Sequence, residues 1–94
     1  MSKRDIYIEK MKLQLDELNA KMSVVEAKAA EAKDDVREKY NEEMRKLRHH
    51  SKLALAKLDQ LKEASDESWD KLVAEMAKVS DAFKHSFNYF KSQL

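Results

Sequence analysis

The chain has 94 residues, a formal net charge of +1, and no glycine, proline or cysteine. Average usage would put about 11 Gly and Pro residues in a chain this long, so hairpin-rich sheets, Gly-rich phosphate loops and dinucleotide folds are excluded. The missing cysteines remove disulfide scaffolds, thiolate metal sites and cysteine nucleophiles, and nineteen basic against eighteen acidic residues leave no global field for nucleic acid or membrane.

The first residues, Met1-Ser2-Lys3-Arg4-Asp5, lead into charge rather than an apolar signal segment, and no apolar run is long enough to cross a bilayer. The expectation is one cytoplasmic helical domain over residues 1–94.

From there an apolar seam begins. Met11, Leu15, Leu18, Met22, Val25, Ala29, Ala32 and Val36 follow steps of four and three, the heptad rhythm of packed helices. Tyr40 and Met44 loosen it, and Leu47, Ser51, Ala54, Leu58 and Leu61 resume it. Glu17–Lys21, Asp35–Lys39, Glu42–Lys46 and Glu67–Lys71 place acid before base at i,i+4, which supports helix along the same stretch.

The strongest break signal is Ala64-Ser65-Asp66-Glu67-Ser68-Trp69. Ser65 or Asp66 can cap the orphan N–H groups of a new helix, and Asp66, Glu67 and Asp70 suit the positive end of its dipole. Weaker signals lie at Asp34-Asp35 and at Ser23. The leading expectation is an all-α coiled-coil hairpin, with helix 1 at about 3–64 and helix 2 at about 66–93, assembled into a homo-oligomeric bundle. The alternative is a three-helix bundle with a second break near 33–35.

In the hairpin, residue pairs face each other around position 65. Leu47, Leu58, Leu61, Trp69, Leu72, Met76, Phe83, Phe87 and Phe90 then form its core, with Phe90 opposite Tyr40 and Leu94 opposite Val36. Ile8, Met11, Leu15, Leu18, Met22 and Val25 are left as an oligomer seam without a partner inside the chain. Each of these gains about 1.5–3 kcal/mol on full burial, so homodimerisation is the simplest remedy.

Residues 45–57 carry Arg45, Lys46, Arg48, Lys52 and Lys57 without an acid. Arg45, Arg48, His49 and Lys52 share one helix face, which makes them the candidate anion-binding group for nucleic acid or anionic lipid. The plainer reading is a solvated flank paired with acids elsewhere, such as Glu38, Glu42 and Glu43. His49 and His50 point about 100° apart and cannot chelate one ion together. No ExxH pair or Ser-His-Asp grouping stands out, so no catalytic residue, metal or cofactor is assigned and the chain reads as a non-enzyme.

The C-terminal segment holds Trp69, Phe83, Phe87, Tyr89 and Phe90, with Lys71, Lys78, Lys84 and Lys91. That is the composition of a core helix or of one lying on a lipid surface. The stretch Ser65-Asp66-Glu67-Ser68-Trp69-Asp70-Lys71-Leu72, with Ala82-Phe83 beyond it, resembles small bacterial coiled-coil-domain proteins of unknown function. The resemblance implies a cytoplasmic helical hairpin that self-associates or binds a protein partner, and it carries over no catalytic residue. A looser similarity to apolipoprotein-type or phasin-type helices implies a lipid or granule surface, although proline punctuation is missing.

Overall fold

Three helices of nearly equal length account for almost all of residues 2–93, the part of the chain that the computed structural model describes. Helix α1 spans Lys3–Ala30, α2 spans Asp34–Lys62 and α3 spans Asp66–Gln93. Leu94, expected opposite Val36, lies outside the described residues.

Helix α1 starts with a side-chain cap: Ser2 Oγ accepts from the Asp5 N–H at 3.2 Å, and Asp5 adds negative charge to the first turn. It ends by tightening. The N–H groups of Glu31 and Ala32 reach back three residues, to Lys28 and Ala29. Lys33 then turns extended, with φ −63° and ψ 152°, and its carbonyl accepts from both Val36 and Arg37. Arg37 donates to the Ala32 carbonyl at 3.2 Å and pairs with Asp34 at 3.4 Å.

This turn overturns the single long helix over 3–64. The chain breaks at 31–33 instead, close to the alternative site, and no left-handed residue is needed. Opening the backbone here sacrifices a few helical hydrogen bonds, each contributing about 0.5–1.5 kcal/mol. Folding α1 back buries Met11, Leu15, Val25 and Ala29 and half-buries Ile8, Leu18 and Met22, and Met11, Leu15 and Val25 alone gain about 4.5–9 kcal/mol. Burial wins.

The second turn follows the capping signal. Glu63 and Ala64 again bond three residues back, to Gln60 and Leu61, and Ser65 Oγ accepts from the Ser68 N–H at 3.3 Å. Asp66 and Glu67 occupy the first turn of α3.

Helix α2 is the middle of the bundle. It packs against both neighbours, whereas α1 and α3 run side by side in the same direction and meet sparingly. The core joins the four α1 residues to Met44, Leu47, Ala54, Leu58 and Leu61 of α2 and to Met76, Phe83, Phe87 and Phe90 of α3. Trp69 and Leu72, expected in that core, sit half-buried at its edge. Tyr40 meets Phe90 edge-on at 5.7 Å, the pair anticipated by the hairpin register.

The principal extents are 51 × 20 × 17 Å. Helices of 28–29 residues at 1.5 Å per residue account for the long axis, while a sixty-residue first helix needs about 90 Å. No helix among the described residues is long and apolar enough to cross a membrane.

Candidate functional site

The residues assigned to an oligomer seam are consumed inside the chain. Leu15 is fully buried, Met11 and Val25 are buried, and Ile8, Leu18 and Met22 pack half-buried on the same core. The premise that this stripe lacks an internal partner is therefore wrong, because α1 folds back rather than extending α2. A different α1 face is left uncovered. Ile6, Leu13 and Val24 are 53%, 63% and 58% exposed, with exposed Ala20 and Ala27 between and beyond them. At 100° per residue these five positions lie on the side opposite Leu15, so α1 is apolar on two faces.

The basic stretch is less free than its charge suggests. Arg48 pairs with Glu26 of α1, Lys46 with Glu43 at 3.4 Å, and Lys57 with Glu75 of α3 at 2.7 Å. The Lys57 hydrogen bond holds the Glu75 carboxyl below its ordinary value of 4.5; partial burial opposes this, and Lys71 and Lys78 reinforce it. Of the proposed anion-binding group, Arg45, Arg48, His49 and Lys52 all stay on the exposed side of α2. Arg45 and His49 line a shallow depression of about 400 Å³ with Glu42, Lys46 and His50, so an acid sits among the cations. The His49 and His50 rings are 6.3 Å apart and tilted by 55°. Among the described residues no three His, Cys, Asp or Glu side chains converge as a metal site would require.

The aromatic side chains of α3 turn inward. Phe83 and Phe90 are fully buried, Phe87 nearly so, and Tyr89 is the exposed member of the group. That orientation removes most of the apolar face a lipid-surface helix would need.

One cluster was not foreseen. The Arg4 guanidinium lies 4.5 Å from the centre of the Trp69 ring, donates to the Ala64 carbonyl, and pairs with Asp66 at 3.2 Å. Tyr7 stands edge-on to the same indole at 5.7 Å, and burial there raises its phenol above the ordinary 10.0. The start of α1 is thus clamped to the α2–α3 turn. The signal in the sequence is Trp69 beside the Ser65 cap, but Arg4 reaches it only once α1 has reversed.

A second polar link joins α1 to α2: Ser51 Oγ donates to Asn19 Oδ1 at 2.7 Å, while Asn19 Nδ2 donates to the Leu15 carbonyl at 2.9 Å. In the sequence Ser51 is simply a small residue of the apolar seam. Comparison with protein-family models, curated proteins and solved structures finds no match to this chain.

Proposed function

We propose that this chain is a non-catalytic helical interaction protein that self-associates through the outer face of α1. The observation that carries the reading is the exposed stripe of Ile6, Leu13 and Val24, filled in by Ala20 and Ala27. Single exposed apolar residues need no explanation, but a row of them along one helix face marks an association surface. The accessible area of 6605 Å² also exceeds the about 5,600 Å² usual for a monomer of 11.0 kDa. A second copy laid along α1 covers the stripe, and two-fold pairing of one face with itself is the commonest way to do so.

The test is sedimentation velocity on the wild type and on Leu13→Glu. Leu13 is 63% exposed, so its replacement leaves the bundle core intact. The expected result is a species of twice the 11.0 kDa chain mass for the wild type and a monomer of unchanged helicity for the variant. A wild type that stays monomeric at about 100 µM, weaker than ordinary dimer affinities, overturns the reading.

A further inference from the structure

The sparing contact between α1 and α3 leaves a groove along their shared side. Two adjoining depressions, of about 440 and 380 Å³, run along it and share Lys21 and Phe87. Leu18, Val25 and Phe87 are their apolar lining, with the exposed Val24 at the rim and Gln14, Glu17 and Asn88 as polar members. Lys21 and Lys28 stand on the α1 edge, Lys84 and Lys91 on the α3 edge. Within each helix the two lysines are seven residues apart, about 10.5 Å or two turns. Lys21 and Lys84 line one depression, Lys28 and Lys91 the other, so the two edges are in register.

All four lysines are exposed, and none takes part in an ion pair among the described residues. Glu17 is the one acid lining the groove. A chain of net charge +1 therefore gathers four lysines against one acid along this trough, a local excess of three positive charges.

From this arrangement we infer that the α1–α3 groove is a docking site for an acidic amphipathic helix of a partner protein. Such a helix lays an apolar stripe on Leu18, Val24, Val25 and Phe87 and completes a four-helix bundle. Its carboxylates, recurring every seven residues on both sides of the stripe, meet the two lysine edges at the heptad spacing. An acyl chain fits less well. It carries one anion at one end, and its tail would lie between the remaining cations without neutralising them. The groove shares Val24 with the outer stripe of α1, while its other lining residues lie off that stripe.

The probe is a fluorescein-labelled three-heptad peptide with Leu at a and d and Glu at e and g, titrated with the protein by anisotropy. A matched peptide with Lys at e and g is the control. Using the Leu13→Glu protein keeps self-association out of the measurement. Binding of the Glu peptide at least about tenfold tighter than the Lys peptide, weakening as salt is raised, is the expected result. The variant Lys21→Glu/Lys28→Glu/Lys84→Glu/Lys91→Glu should reverse the preference, and Lys28→Glu/Lys91→Glu should narrow it while circular dichroism stays unchanged. Equal binding of both peptides, no binding of the Glu peptide at about 100 µM, or flotation with phosphatidylserine vesicles in place of peptide binding would overturn it.

Discussion

At the scale of single residues, the bundle is closed by groups whose roles depend on neighbours distant in sequence. Arg4 is the clearest. Its side chain serves an indole face, a turn carbonyl and a carboxylate at once, and is itself about two-thirds buried, with 34% of the side chain exposed. Arg4→Ala should cost about 1–2 kcal/mol, mostly from the cation–π contact and the Ala64 carbonyl left without its donor. Asp66 is 99% exposed, so its ion pair contributes little. In thermal melts this corresponds to a drop of roughly 4–12 °C for a domain this size. Arg4→Lys should recover only part of it, because an ammonium cannot stack and fork as a guanidinium does. A melt unchanged by Arg4→Ala would show that the clamp does not hold the helices together. Ser80 predicts the opposite sign. Its hydroxyl is buried and has no hydrogen-bond partner among the described residues, and serine is a poorer helix former than alanine. Ser80→Ala should raise the melting temperature by several degrees, whereas Ser51→Ala, which strands Asn19 Oδ1, should lower it. The Ser65 cap was readable from spacing alone because its partner is three residues away. Arg4 was not, because its partners lie some sixty residues downstream.

At the scale of elements, the instructive case is the turn at 31–33. The heptad steps run through Ala29, Ala32 and Val36 without interruption, and so favour a continuous helix. Periodicity reports which face is apolar, but it does not report whether that face is covered by another chain or by the same one. Glu31, Ala32 and Lys33 are all good helix formers, so local propensity also gave no warning beyond Asp34-Asp35. What decides the matter is tertiary: the stripe on α1 is buried by reversing. The capping position shows the cost of that choice, since Lys33 makes no side-chain hydrogen bond to α2. Lys33→Ser supplies the missing acceptor and should stabilise the protein by about 1 kcal/mol, measured by urea denaturation. In a continuous helix the same change would put serine in a helix interior and destabilise it. The sign of the effect therefore discriminates between the two architectures.

At the scale of the molecule, each helix interface carries one ion pair among the described residues: Arg4–Asp66 between α1 and α3, Arg48–Glu26 between α1 and α2, and Lys57–Glu75 between α2 and α3. A chain in which 39% of residues are charged uses a few of those charges to join helices, and the sequence shows the charges without showing the pairings. The absence of glycine and proline, which argued for one long arm, instead goes with two turns in which no described residue has a positive φ. Lys57–Glu75 gives the interface network a pH signature. The Glu75 carboxyl titrates below its ordinary 4.5 in the folded state because Lys57 donates to its charged form. The unfolded chain thus takes up that proton at a higher pH than the folded one. The pair's contribution is complete above about pH 4.5, falls as the pH drops below that value, and is gone once the folded carboxylate is itself protonated. Urea midpoints of the wild type and Glu75→Gln, followed from pH 7 to pH 2.5, should differ most near neutrality and converge in acid. Since Glu75 is partly exposed, the gap should also shrink in about 1 M salt, where screening acts over a few ångströms. A gap that persists unchanged to pH 2.5 would mean that the ionised carboxylate of Glu75 is not what stabilises the α2–α3 interface.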